Sequence, residues 1–155
     1  MRRKRLRLSK YDYAQAGAYF VTVCTRERAC LFGEVASEEI RPNAIGRIVA
    51  VCWNDIPRHN PGVDVDALTI MPNHIHGILF LGVGAGYIRP LPSVMATFKA
   101  AASRRTGQAL WQRSYHERVI RNDDELRALR EYIATNPRRW ALDRENPTRR
   151  PRSNA

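Results

Sequence analysis

Eleven residues, Met71-Pro72-Asn73-His74-Ile75-His76-Gly77-Ile78-Leu79-Phe80-Leu81, constrain this chain more than any others. After Pro72 the run is almost wholly apolar, the pattern of a short strand buried on both faces, and so of a central strand. Alternate side chains of a strand share a face, which puts His74 and His76 on one side together with Ile78 and Phe80. One ion could then touch both imidazoles, and a register change of a single residue would break the pairing. Two hydrogen-bonded core histidines would satisfy the same pattern. The motif alone leaves both readings open.

The remaining elements group around that strand. Tyr19–Thr25 is rich in β-branched and aromatic residues and reads as a first strand. Asn43 is placed to cap a helix running to about Pro57, with Ile45, Ile48, Val49, Cys52, Trp53 and Ile56 at helical spacing. Val65–Met71 is a second strand, joined to the histidine strand so tightly that the two must form an antiparallel hairpin. Gly82-Val83-Gly84-Ala85-Gly86 has the wrong spacing for a dinucleotide loop and reads as a surface loop. Ser93 starts a helix to about Thr106, apolar through Val94, Phe98 and Ala101. Tyr115–Arg121 is a fourth strand, and Asp123, Asp124 and Glu125 open a last helix that Pro137 ends near Asn136. The order β-α-β-β-α-β-α predicts an α+β, ferredoxin-like (RRM-like) fold: an antiparallel sheet with helices packed on one face and the other open to a ligand.

Charge narrows the partner. The net charge is +11, and it is concentrated at the ends. Residues 1–10 carry six basic residues, among them Arg2, Arg3, Lys4, Arg5 and Arg7, and no acid. Residues 137–155 carry six arginines, including Arg138 and Arg139, against Asp143 and Glu145. The organisation expected is therefore a basic arm at 1–10, a compact domain at 11–136 and a second basic arm at 137–155. Two cationic arms on a nearly neutral body suit a polyanion, because each phosphate neutralised releases counterions. Lys99, Arg104, Arg105 and Arg113 could extend that surface. Neither arm forms a basic amphipathic helix and no apolar run approaches the ~20 residues of a bilayer span, so no membrane role is expected. Cys24, Cys30 and Cys52 are odd in number and lack Cys-x-x-Cys spacing, so neither a disulfide framework nor a zinc knuckle is indicated and a reducing cytoplasm is the expected compartment.

In the last helix Leu126, Leu129 and Ile133 form the core stripe. Tyr132 lies roughly 90° from its centre at ~100° per residue, and Asn136 is one turn further on the same flank. A bordering tyrosine is commonly a packing residue and a terminal asparagine commonly a cap.

The Met-Pro-Asn-His-Ile-His-Gly stretch resembles the HUH signature of single-tyrosine transposases, two histidines flanking a hydrophobic residue. Phe98-Lys99-Ala100 with Arg104-Arg105, Leu110-Trp111-Gln112-Arg113-Ser114-Tyr115, Val119-Ile120-Arg121-Asn122, and Tyr132-Ile133 followed by Asn136-Pro137 and Trp140 extend the likeness to about residues 8–142. Together they resemble the REP-associated tyrosine transposases. The resemblance implies a bacterial, nucleoid-associated enzyme with Tyr132 as nucleophile and a divalent ion, Mg²⁺ or Mn²⁺, held by His74, His76 and Asn136. It implies action on single-stranded or hairpin DNA at palindromes, through a 5′-phosphotyrosine and a free 3′-hydroxyl, by a monomer or homodimer. His116 and Glu117 lie where members of that family vary, and read as packing residues ahead of site neighbours.

Two other readings remain. A non-catalytic nucleic-acid-binding module on the same fold would carry stacking aromatics on its central strands, where this chain has His74 and His76. A histidine-triad phosphohydrolase would want a third histidine at the next alternate position, which is Ile78.

Overall fold

A computed structural model describes residues 17–82 and 89–148. The arm at 1–10, residues 83–88 of the glycine-rich loop and the final seven residues lie outside the described residues. Around the site the elements are β1 (Ala18–Cys24), β2 (Gly33–Ala36), β3 (Glu39–Pro42), α1 (Ala44–Asn54), a single turn α2 (Ile56–His59), β4 (Val63–Met71), β5 (His74–Leu81), α3 (Leu91–Thr106), β6 (His116–Ile120) and α4 (Asp123–Thr135). A 3-10 segment, Asn136–Leu142, follows α4 directly.

Four strands form one antiparallel sheet in the order β4-β5-β1-β6. The histidine strand β5 is internal and every one of its residues is buried, as its unbroken apolar run requires. Met71 pairs with His74 across the two-residue turn Pro72-Asn73, so the expected hairpin is present. The register also sets Thr22 of β1 opposite His76 and Cys24 opposite His74.

Both faces of this sheet are covered. On one, Ile75 and Leu79 join Val21, Val23, Trp53, Val94 and Phe98 under α1 and α3. Trp53 lies flat enough against β5 that a Cβ on Gly77 would come within 2.4 Å of its ring. On the other, Ile78 and Phe80 meet Leu126, Leu129 and Ile133 of α4. Helices were expected on a single face. The last helix instead crosses to the histidine side, because its narrow apolar stripe matches the other alternation of β5. Among the described residues a groove remains at the His76 end.

Local chemistry fixes the helix ends. Asn43 caps α1 by accepting from the Gly46 amide at 2.9 Å. Asn122 does the same for α4 from Glu125, whose carboxylate accepts in turn from the Arg121 amide. Pro90 and Pro92 start α3 at Leu91 rather than after Ser93, since proline's fixed φ suits a first turn. Gly107, at φ +72°, ends it. The short β2–β3 hairpin has no counterpart in the expected order. Ser37 and Glu38 turn it with positive φ, without the Asn-Gly or Asp-Gly pair that would have signalled it.

Candidate active site

His74 and His76 stand side by side on β5 with ring centroids 4.7 Å apart, the shared face that strand alternation predicts. Both are buried. α4 brings Tyr132 to the same face, its ring 5.5 Å from that of His76, and leaves the phenol 40% exposed. What holds α4 in this position is the Leu126–Leu129–Ile133 stripe and a half-buried ion pair: Arg130 grips Asp66 of β4 with two hydrogen bonds of 2.7 Å. Asn136, one turn beyond Tyr132, is 1% exposed. Its backbone N–H ends the helix on Ile133, whereas its side-chain Oδ1 has no hydrogen-bond partner. Thr22, His76, Tyr132, Asn136, Arg139 and Asp143 line a groove of about 460 Å³. Three of the four residues expected to form the site open directly into it, and His74 lies behind them.

The hydrogen bonds around the imidazoles decide what they can do. His74 Nδ1 is 2.9 Å from Asn73 Oδ1, while His74 Nε2 is buried without a hydrogen bond, its nearest charged neighbour Asp143 at 3.9 Å. His76 Nδ1 meets the Thr22 hydroxyl at 2.8 Å, and Phe20 stacks on its ring at 5.2 Å. Burial lowers the His76 pKa to about 3, with His74 and Arg139 pushing the same way. Burial also lowers that of His74, against the pull of the Asp143 and Glu145 carboxylates and of Asn136. Two neutral imidazoles are the form that donates a lone pair to a cation. Among the described residues no three His, Cys, Asp or Glu side chains close on one point. The buried polar atoms left without a hydrogen bond include His74 Nε2 and Asn136 Oδ1, both chemically able to donate a lone pair.

Arg139 is the basic residue most intimate with the tyrosine. Its guanidinium lies 4.6 Å above the Tyr132 ring and donates to the Tyr132 carbonyl.

No family model matches the chain. A Haemophilus influenzae protein described as "Uncharacterized protein" is 34% identical over 164 residues, covering 91% of this chain and 91% of that one. A second from the same organism, described as "Putative REP-associated tyrosine transposase", is 25% identical over 138 residues, covering 81% of this chain and 73% of the relative. Among solved structures, a REP-associated tyrosine transposase bound to a REP hairpin shares the fold at a TM-score of 0.60 and 24% identity, covering 78% of this chain and 66% of its own. The chain is similar in sequence to a putative REP-associated tyrosine transposase and shares the fold of a solved one. A second structure, described as "a putative transposase" from Deinococcus radiodurans, shares the fold at a TM-score of 0.52 and 20% identity, covering 88% of this chain and 98% of its own.

Sequence reasoning missed the groove's supporting residues. Thr22 and Phe20 could have been found by pairing the strands, because residues opposite His76 and Ile78 share their face. By the same register His116 sits beside Thr22 at the sheet's open edge. Asp143 and Glu145 carried no signal beyond breaking an arginine-rich run.

That run also needs correcting as a separate arm. Residues 137–148 pack back onto the domain: Glu145 O accepts from Asn73, and Asn146 is buried and donates to Trp140 O. The packed chain therefore continues well past the expected boundary at 136.

The expected DNA-contacting residues separate into groups. Arg2, Arg3, Lys4, Arg5 and Arg7 are outside the described residues. Arg113 and Arg138 are exposed, and only Arg139 of the described group borders the groove. Lys99 is turned inward, its ammonium donating to Gln112 O at 2.7 Å and Arg113 O at 3.2 Å. Arg104 and Arg105 end α3 on the opposite side of the sheet, and Arg105 pairs with Asp55 at 3.3 Å.

Proposed function

We propose that this protein is a metal-dependent single-stranded DNA endonuclease and strand-transferase that acts at palindromic hairpin DNA. The observation that carries the reading is the convergence of Tyr132, His76 and Asn136 on one groove, with the His74 ring 4.7 Å behind that of His76. The hairpin is supported by the likeness to a solved REP-associated tyrosine transposase bound to a REP hairpin.

His74, His76 and Asn136 would hold the ion, Mg²⁺ or Mn²⁺, with coordination positions left for oxygen ligands, which hard cations prefer. Once bound it supplies Lewis acidity toward a phosphate oxygen. Tyr132 is the attacking group. Its oxygen forms a bond to phosphorus as the bond from phosphorus to the 3′ oxygen breaks. The phenolic proton leaves and the departing 3′ oxygen takes one up. The products are a 5′-phosphotyrosine and a free 3′-hydroxyl, and the ester keeps its energy for rejoining to a second strand end. Arg139, already over the ring, is suited to hold a phosphate oxygen beside it. A purely binding module on this fold has less support: β1 and β5 offer imidazoles and a hydroxyl at the groove, and α4 overlies their apolar end.

The test is incubation of the protein with labelled single-stranded hairpin DNA and Mg²⁺ or Mn²⁺, followed by a denaturing gel. A protein–DNA adduct that needs the ion supports the reading. Tight hairpin binding with no adduct in either ion would leave only the binding module.

A further inference from the structure

We propose that Asn73 is a positioning residue that fixes the proton of His74 on Nδ1 and so turns the Nε2 lone pair toward the groove. The inference rests on reading the histidine pair as metal ligands and adds what makes one of them competent. Asn73 is fully buried in the turn between β4 and β5. Its amide nitrogen donates to two backbone carbonyls, those of Arg28 (3.2 Å) and Glu145. Carbonyls only accept, so the NH₂ end of the amide must face them and the oxygen must face His74. That oxygen, 2.9 Å from His74 Nδ1, can only accept. A neutral imidazole has one N–H, and this contact puts it on Nδ1.

The opposite tautomer has competing attractions, the Asn136 side chain and the Asp143 carboxylate. Asp143 Oδ2 lies 3.9 Å from Nε2, too far for a hydrogen bond as placed yet close enough to capture a proton there after a small shift. Asn73 opposes that outcome. The carbonyls that orient it come from distant parts of the chain. Arg28 follows β1 in a left-handed backbone conformation (φ 55°) and Glu145 follows the 3-10 segment. The tautomer of one imidazole is thus set by the meeting of a hairpin turn, a strained loop and the chain's late segment.

The chain has four histidines, few enough to assign by substitution in long-range ¹H–¹⁵N spectra of the metal-free full-length protein at about pH 8. The expected spectrum has His74 protonated at Nδ1 and bare at Nε2. Asn73→Leu should move the proton to Nε2 and weaken Mn²⁺ binding, followed by electron paramagnetic resonance, about 10–100-fold. A wild-type His74 protonated on Nε2 would overturn the inference even if Asn73→Leu cannot fold. So would an Asn73→Leu protein with unchanged tautomer and unchanged Mn²⁺ affinity. If the wild type has the expected tautomer but binds no Mn²⁺, the role of Asn73 stands and the metal reading is what fails.

Discussion

Tyr132 is the exposed ring of a largely buried site, and that exposure separates its chemistry from stability. The residue is 40% exposed, so Tyr132→Phe should fold normally and bind hairpin DNA within about twofold of wild type, surface substitutions being usually small in effect. The covalent adduct should vanish. Measuring both on one preparation, by anisotropy and by denaturing gel, distinguishes a nucleophile from a stacking residue; an adduct that persists in the Phe protein would remove Tyr132 from the reaction. His76 gives a second residue-level prediction through its pKa. Burial holds the folded value at about 3, below the ordinary 6.5, so below pH 6.5 the unfolded chain binds a proton that the folded chain refuses. The metal-free protein should therefore lose stability as pH falls from about 6.5 toward 3, with a slope approaching about 1.4 kcal/mol per pH unit from this group. The difference between wild type and His76→Leu in chemical denaturation isolates it, since carboxylates common to both cancel. Equal pH profiles for the two would mean that His76 is not desolvated as its packing indicates.

At the scale of elements, β5 was the most legible part of the sequence, and its physics says why. A strand with neighbours on both edges and both faces has no freedom in side-chain choice, so its apolar run and its histidine alternation were readable without the rest of the chain. The helix starts were legible wherever an asparagine side chain does the capping, at Asn43 and Asn122. The β2–β3 hairpin was not, because Ser37 and Glu38 adopt a turn conformation that their types rarely signal. Gly77 sits inside the readable strand yet its reason was invisible. Only the fold reveals that Trp53 of α1 occupies the space a Cβ would need. Gly77→Ala should thus cost roughly 1–3 kcal/mol in unfolding free energy by overpacking. Pairing it with Trp53→Leu should make the double variant less destabilised than the sum of the two singles, since each change relieves the other. Simple additivity in that cycle would mean that the two residues do not meet.

For the molecule as a whole, sequence told how much positive charge there is and where it lies along the chain, but not which side of the fold it faces. Lys99, Arg104 and Arg105 look alike in sequence and belong to one helix. Folding commits Lys99 to backbone carbonyls and leaves the other two behind the sheet, away from the groove. Residues 137–148 of the late basic segment proved part of the packed body, because Glu145 O accepts from Asn73 and Trp140 lies against His74 where composition suggested a free arm. These placements make a directional prediction about DNA. If the strand runs through the Tyr132 groove, deleting residues 1–8, which removes five basic side chains, should weaken hairpin binding and flatten its dependence on salt. The log–log slope should change by up to about 0.9 for each duplex-stem phosphate that the shortened protein no longer neutralises. Arg104→Gln with Arg105→Gln also removes positive charge, but from the far side of the sheet, and should leave that slope nearly unchanged. Titrating both variants from low to moderate salt therefore compares two ways of lowering the same net charge. A long-range field acting on the whole molecule would shift the two slopes according to the charge removed, whereas direct binding of phosphates by the arm shifts only the first. Equal flattening per charge in the two proteins would rule out a DNA path fixed by the groove.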